Sequence, residues 1–315
     1  MGQLKLVTGN SNRPLAEDIA STLNLELCEA TVGRFPDGEI QVHIEENVRG
    51  CNLFVIQSHS PPVNQNVMEL LLLIDALKRA SAHSIAAVIP YYGYARQDRK
   101  QTGRVPISAK LVANMISTAG ADRVLTIDLH AGQIQGFFDI PVDNLRGDPV
   151  LADYFSEYQG AEDVVVVSPD VGGAKRARKV AQRLNVSLAI AEKKRDPTDK
   201  TAEIMNLIGE IENKKCLVVD DLASTGGTLI KVSEALEDRG CQSVEAICTH
   251  GLFADDCLSK LRNSPISRIA VTDTILHEEA RKSDFVDYVP VGPLFAATIQ
   301  RIYENKSVSA LFPHS

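Results

Sequence analysis

Residues Leu217 to Thr228 read LVVDDLASTGGT. An apolar run, Cys216 to Val219, ends in two adjacent carboxylates, Asp220 and Asp221. A loop of small residues follows, Ala223 to Thr228, and then an amphipathic segment, Leu229 to Arg239, that stops at Gly240. The order is strand, acidic tip, Gly/Ser/Thr loop, helix. Glycines let backbone N–H groups approach an anion closely, and a helix N-terminus adds partial positive charge. Ser224, Thr225 and Thr228 can add hydroxyl donors. The loop therefore suits a phosphate monoester. The carboxylates cannot bind phosphate directly, but they can bind sugar hydroxyls or hold a hydrated divalent metal. Phosphate at one end and hydroxyls at the other describe a sugar phosphate. The plainer alternative is an ordinary strand-to-helix turn. No Gly-Lys-Ser/Thr is present, so this is not a Walker A loop.

Outward from this stretch the chain keeps the same rhythm. Leu4 to Thr8, Leu53 to Gln57, Ile85 to Pro90 and Val124 to Asp128 read as strands. Between them, helices are expected from Pro14 toward Leu23, over Asn64 to Ala80 and over Ser108 to Gly120. Ile40 to Ile44 alternates apolar and polar residues, as a half-exposed strand does. It follows a turn at Pro36-Asp37-Gly38, beside Phe35, which could stack on a ring or a partner subunit or else anchor the loop in the core. After Ile89 comes Tyr91 to Lys100, YYGYARQDRK, with three tyrosines and three cations at a strand's carboxyl end. That edge is where open α/β sheets bind ligands. Arg96 and Lys100 could engage triphosphate oxygens and Gln97 a base edge. Asp128-Leu129-His130 puts an imidazole near a carboxylate at another strand end. Asp139 to Asp148 is rich in turn residues and could link domains. Beyond it, Asp163 to Val167 is a strand, Ser168 to Gly173 a tip loop, Ala174 to Leu184 a basic helix and Leu188 to Ala191 a strand. The polar Lys193 to Lys200 segment reads as a mobile cationic loop able to close over phosphates. Strands near Val244, Arg268 and Val286 and a helix over Pro293 to Glu304 complete the chain. This alternation predicts a mostly parallel sheet in each half.

The 315 residues suit two domains. The longest apolar candidate, Leu70 to Ala76, is short and contains Asp75, so it reads as a buried helix and no membrane span is expected. No basic segment leads into an apolar run at the N-terminus. Six cysteines lie scattered without a C-x-x-C pair, as reduced core residues of a cytoplasmic protein would. A net charge of -8 disfavours nucleic-acid binding. Basic residues cluster only locally, around Arg96 to Lys110, Lys175 to Lys179 and Lys193 to Arg195, which suits a small polyanionic ligand. The second cluster alone reads as a solvated helix face.

The central loop resembles the ribose 5-phosphate loop of the phosphoribosyltransferase fold. The whole chain resembles the ribose-phosphate pyrophosphokinases. YYGYARQDRK, GADRVLTIDLHAGQIQGFFDIP, VVVVSPDVGGAKRARKVA and DDLASTGGT stand in that family's order and spacing. The resemblance implies an α/β protein of two phosphoribosyltransferase-type domains related by pseudo-twofold symmetry, each with a mostly parallel sheet flanked by helices. The expected division is 1–145, 146–295, and a 296–315 segment packing back on the first domain. It implies transfer of the diphosphoryl group of Mg-ATP to the 1-hydroxyl of ribose 5-phosphate, giving 5-phosphoribosyl 1-pyrophosphate and AMP. The active site is expected between domains, completed by a neighbouring subunit.

By the family's pattern, Asp220, Asp221, Ser224, Thr225, Gly226, Gly227 and Thr228 hold ribose 5-phosphate. Arg96, Gln97 and Lys100 bind ATP, with Phe35, Asp37 and Glu39 reaching the adenine from the adjacent subunit. His130 and Asp170 match Mg²⁺ positions, and Lys193 and Arg195 match the catalytic loop. Arg49, Arg104, Gln135, Asp143, Ser307 and Ser309 fit a site for inorganic phosphate and ADP as effectors. The family also implies a homo-oligomer, a hexamer built from dimers. Three departures stand out: Ser224 where many members carry Asp, DPTDKTAE after Arg195, and Asn47 and Gly132 where serines are common. Three rivals are a phosphoribosyltransferase consuming the pyrophosphate sugar, a non-catalytic regulatory relative, and a transcription regulator on the same fold. The first does not account for the ARQDRK and DLH stretches, the second should have lost the cations or metal positions, and the third would want a helix-turn-helix and a basic face.

Overall fold

The computed structural model describes residues 2–195 and 203–312. The chain divides into two compact units, Met1–Leu145 with Thr274–Leu276 and Pro290–Ser315, and Arg146–Asp273 with His277–Val289. The first unit thus takes up Thr274–Leu276 and then everything from Pro290 on, whereas the expected boundary was at residue 296.

In the first unit the order is β1 (Leu4–Thr8), α1 (Arg13–Thr22), β2 (Ala30–Arg34), β3 (Ile40–Ile44), β4 (Asn52–Ile56), α2 (Val63–Arg79), β5 (Ser84–Ile89), α3 (Ser108–Ala119), β6 (Arg123–Ile127) and β7 (Val142–Leu145). The main sheet is parallel throughout, in the order β1-β4-β5-β6-β7. Strands β2 and β3 form a separate antiparallel hairpin. Val32, Val42 and Ile44 turn one face of it onto the core. Strand β2 was not expected, and β7 lies inside the stretch read as a linker. Its residues VDNL contain no apolar run, because β7 is the sheet's edge and only Leu145 is fully buried.

The second unit runs α4 (Asp148–Tyr154), β8 (Val164–Ser168), α5 (Ala174–Leu184), β9 (Ser187–Arg195), β10 (Glu203–Ile208), β11 (Lys215–Ala223), α6 (Gly227–Glu237), β12 (Ser243–Gly251), α7 (Cys257–Arg262), β13 (Ile266–Thr272), α8 (Glu278–Arg281) and β14 (Val286–Val289). The final helix, α9 (Gly292–Tyr303), belongs to the first unit. Sheet order is β10-β9-β8-β11-β12-β13-β14, parallel except for the antiparallel pair β9–β10.

The central strands are buried on both faces, which is why VVVV in β8 and LVV in β11 read as unbroken apolar runs. Ala177, Val180, Ala181 and Leu184 recur at helical spacing on α5 and pack with Leu217 and Val219. Leu229, Val232 and Leu236 of α6 pack with Val165 and Val218. Alternate residues of β11 thus face opposite helical layers. Burying each of the valine and leucine side chains contributes about 1.5–3 kcal/mol. In the first unit, α9 packs closely on α1: a Cβ at Gly292 would lie 1.9 Å from Asp18 Oδ2, so a larger residue there would have to displace the Asp18 carboxylate.

Four buried cysteines are Cys51, Cys216, Cys248 and Cys257; Cys28 and Cys241 are half-buried, and all six are free. Among the described residues no helix is long and apolar enough to cross a membrane.

Candidate active site

Strand β11 runs further than the sequence suggested, through both carboxylates to Ala223. Asp220 pairs in register with Cys248 of β12, and Leu222 with His250. The polypeptide then turns through Ser224 and Thr225 to Gly226, which has φ +79° and stands at the N-cap of α6. A Cβ there would lie 3.1 Å from Cys257 Sγ and 3.3 Å from Leu261 Cγ, so both backbone sign and packing select glycine. Gly227 opens on space: its Cβ would meet only Thr225 Oγ1, at 4.0 Å. No side chain caps α6, so the N–H groups of its first turn point outward as anion donors. The loop is held from below by Leu252 and Phe253, whose N–H groups donate to Ala223 O at 2.9 Å, and by Ala254 N–H to Ser224 O at 2.9 Å.

The two carboxylates differ in setting. Asp221 is buried and Asp220 half-buried. Burial first, then the neighbouring Asp221 carboxylate, push Asp220 up to about 7. The Asp221 N–H, which donates to Asp220 Oδ1 at 2.8 Å, and the Arg176 guanidinium oppose that rise. Opposite them on β12, burial and both carboxylates hold the Cys248 thiol well above its ordinary range, so it stays neutral.

Asp170 follows β8 in the same unit. Its Oδ1 accepts from Gly173 N–H at 2.7 Å, and its carbonyl accepts from Ser168 Oγ at 2.7 Å, which fixes an exposed carboxylate before α5. Strands β8 and β11 are parallel neighbours, so their carboxyl ends share one edge. Asp170, Asp220, Asp221 and the Ser224–Thr228 loop therefore gather there. Arg176 joins them and was not anticipated. Its cluster was read as a solvated helix face, yet its Nη1 lies 3.4 Å from Asp221 Oδ1 and 3.8 Å from Asp220 Oδ1. The available signal was a cation in the first turn of a helix, where the macrodipole disfavours one.

Lys193 and Arg195 fall on β9, not on a loop. The backbone pairs them with Met205 and Glu203 of β10. The strand extends past the apolar LAIA because β10 supplies an antiparallel partner, which the composition of 193–195 does not announce. Asp196 to Lys200, the rest of the expected loop, lies outside the described residues.

The first unit carries the remaining positions. Arg96, Gln97 and Lys100 are exposed on the segment after β5, and His130 is exposed after β6. These strands are parallel neighbours, so both segments leave the same sheet edge. Gln133 Nε2 ties them by donating to Asp98 Oδ2 at 2.7 Å. Tyr92 is buried and its hydroxyl donates to Ala109 O at 2.8 Å. Gly93 N–H donates to the buried His59 Nδ1 at 3.3 Å. These bonds fix the base of the segment and leave its cations outside. Gln97 Oε1 accepts from the Ser108 hydroxyl, which leaves its amide N–H groups as donors. Asp128, with φ +43°, sharpens the turn before His130.

Phe35, Asp37 and Glu39 crown the β2–β3 hairpin and are all exposed. Phe35, at 45% exposure, is no core anchor. The turn is closed by Phe35 N–H to Glu39 O at 2.8 Å and Glu39 N–H to Asp37 Oδ1 at 3.1 Å. Of the effector set, Arg49, Arg104, Gln135, Ser307 and Ser309 are exposed. Asp143 is half-buried and ion-paired with Arg123 at 2.5 Å. Gln135 Nε2 donates to Gly132 O at 3.0 Å, and the hydroxyls of Ser307 and Ser309 are 2.8 Å apart.

Residues 4–120 match the family model of the N-terminal domain of ribose phosphate pyrophosphokinase, and residues 148–269 that of the phosphoribosyl transferase domain. The ribose-phosphate pyrophosphokinase of Thermotoga maritima is 55% identical over 312 residues, 98% of each chain. That of Bacillus caldolyticus is 53% identical over 310 residues, again 98% of each. The crystal structure of phosphoribosylpyrophosphate synthetase from Mycobacterium smegmatis superposes with a TM-score of 0.90 at 41% identity, covering 96% of this chain and 99% of that one.

Proposed function

This chain belongs to the ribose-phosphate pyrophosphokinase family, and from that premise we propose how its own residues carry out the reaction. It is a diphosphotransferase that makes 5-phosphoribosyl 1-pyrophosphate and AMP from ATP and ribose 5-phosphate. The observation that carries the site reading is the tip of β11: two carboxylates, then Gly226 in the left-handed region, then an uncapped helix N-terminus.

The 5-phosphate sits on the N–H groups of Gly226, Gly227 and Thr228, with the hydroxyls of Ser224, Thr225 and Thr228 around it. Asp220 and Asp221 accept from the ribose hydroxyls and orient the ring. Arg96, Gln97 and Lys100 take ATP, and Phe35, Asp37 and Glu39 of an adjacent subunit reach its adenine. The 1-hydroxyl oxygen attacks the β-phosphorus in line with the departing AMP oxygen. That bond forms as the bridge to the α-phosphate breaks, AMP departs with the bridging oxygen, and the hydroxyl proton passes to solvent. Charge gathers on the phosphoryl oxygens, where Lys193 and Arg195 stabilise it. No covalent nucleophile is needed, and the carboxylates act as orienters more than as bases.

Mg²⁺ is the metal this donor set fits. Asp170 offers one oriented, exposed carboxylate, and no group of three or more His, Cys, Asp or Glu is assembled among the described residues. Mg²⁺ commonly keeps its waters and binds through one or two protein groups plus substrate phosphates. Asp170 and His130 would hold it, and when bound it supplies charge neutralisation on the phosphoryl oxygens.

We place the enzyme in the cytoplasm as a homo-oligomer, a hexamer of dimers, with inorganic phosphate activating and ADP inhibiting through Arg49, Arg104, Gln135, Asp143, Ser307 and Ser309. A coupled assay of AMP release with ribose 5-phosphate, ATP and Mg²⁺, with and without inorganic phosphate, tests the reading. AMP formation that needs ribose 5-phosphate and no added base, and is lost in the double variant Lys193→Ala, Arg195→Ala, is expected. ATP-independent consumption of the pyrophosphate sugar with a purine base would overturn it. A rate indifferent to phosphate would remove the activation.

A further inference from the structure

We infer that Arg176 is a positioning residue for the ribose carboxylates: from the first turn of α5 it holds Asp221, with Asp220 beside it, in the orientation that accepts the sugar hydroxyls. This rests on the reading of the β11 tip as the ribose 5-phosphate site.

The geometry comes first. One guanidinium nitrogen lies 3.4 Å from Asp221 Oδ1 and 3.8 Å from Asp220 Oδ1. The side chains are 21%, 9% and 17% exposed for Arg176, Asp221 and Asp220. An exposed pair would contribute little, whereas a pair this withdrawn from water acts strongly on its partners. Two adjacent carboxylates repel, and a cation between them and the helix relieves that repulsion and fixes their orientation. A cation within about 4–6 Å favours a charged carboxylate, here Asp221 first, and arginine does not lose its proton. From β12 the group across from Asp220 is the Cys248 thiol, which brings no compensating charge.

Helix stability does not explain the residue. Arg176 is the third residue of α5, and that first turn contains no acidic residue. A cation there opposes the macrodipole. Arg183, in the last turn of the same helix, shows the ordinary arrangement: it forks onto the exposed Asp153 at 2.6 and 2.7 Å. A position that costs the helix, paired with two withdrawn carboxylates at a ligand-binding edge, is explained by what those carboxylates do. A divalent cation could compensate them too, but it would compete with the sugar for their oxygens. The guanidinium binds from the α5 side and leaves each carboxylate further acceptor capacity.

The test is steady-state kinetics on the full chain with Arg176→Met, Arg176→Lys, Asp221→Asn and the double variant Arg176→Met, Asp221→Asn. For Arg176→Met the KM for ribose 5-phosphate should rise more than about tenfold, as for loss of a charged hydrogen-bonding partner, with the KM for ATP within about twofold. Arg176→Lys should recover most of the loss, since it keeps the charge without the fork. The double variant should be no worse than Asp221→Asn alone, because both remove one coupled interaction. Thermal melts accompany each variant, and Arg176→Gln replaces Arg176→Met in the comparison if the latter melts early. An unchanged ribose 5-phosphate KM in the neutral variant, equal rises in both KM values, equal impairment of the Lys and neutral variants, or additive effects would each overturn the role of Arg176. An unchanged ribose 5-phosphate KM in Asp221→Asn would instead overturn the site reading, and the inference with it.

Discussion

The backbone N–H of Asp221 donates to Oδ1 of Asp220 at 2.8 Å, so the first carboxylate of the acidic tip is held by the amide of the second. That bond favours the charged form of Asp220, yet burial and the Asp221 carboxylate outweigh it and raise the group to about 7. The folded value lies above the usual carboxylate value in an unfolded chain, about 3.9. The stability this group contributes is therefore complete below that unfolded value and is lost as pH rises through the folded one.

Asp220→Asn should accordingly stabilise the ligand-free protein at pH 8 by about 2 kcal/mol while leaving it little changed at pH 4. Asparagine still accepts the Asp221 N–H. The same variant should lose more than about tenfold in kcat/KM for ribose 5-phosphate, because the ribose hydroxyls lose a charged acceptor. Thermal melts at the two pH values and steady-state kinetics check both halves. A melting temperature that falls at pH 8 would count against the raised carboxylate.

Adjacent glycines should respond oppositely. Gly226→Ala forces a Cβ into a left-handed residue and against Cys257 and Leu261, so it should destabilise by about 1–2 kcal/mol. Gly227→Ala meets open space within the chain, so its melting temperature should hold. Its methyl group would stand where the phosphate approaches, and the KM for ribose 5-phosphate should rise. Melts paired with kinetics separate the two.

Phe35 is 45% exposed on the hairpin tip, so Phe35→Ala should change stability by less than about 0.5 kcal/mol. If the ring meets adenine, the loss of base–aromatic stacking, about 1–3 kcal/mol, should raise the KM for ATP by fivefold to a hundredfold. The KM for ribose 5-phosphate should stay near its original value. Equal effects on both substrates would place Phe35 outside the ATP site.

Single variants Lys193→Ala and Arg195→Ala should each lower kcat by about 10²–10³, the scale for losing one donor to transition-state charge. Each KM should move far less, since these cations act where charge develops. Rapid-quench or steady-state AMP release checks this. A loss confined to KM would make them ground-state binders.

Much of this was legible in the residues. LVVDDLASTGGT announced a buried strand, an acidic end and a glycine turn, because a parallel strand covered on both faces must be apolar and only glycine suits the left-handed residue at 226. The edge strands β2, β7 and β10 were missed for the complementary reason. An edge strand is half-exposed and takes its identity from its neighbour's hydrogen bonds, not from its own composition. Lys193 to Arg195 looked like loop because three successive cations suit water, but pairing with β10 holds them extended.

By itself, then, the sequence determined the α/β rhythm, the two-part organisation and the chemistry of each tip, since periodicity and turn residues are local properties of the chain. Only the tertiary structure decided which tips share a sheet edge and which charges meet. The pairing of Arg176 with Asp221 spans 45 positions along the chain, and it exists because β8 lies beside β11 and α5 leaves β8 at the same edge. Strand order is set by packing over the whole unit, and no window of sequence contains it.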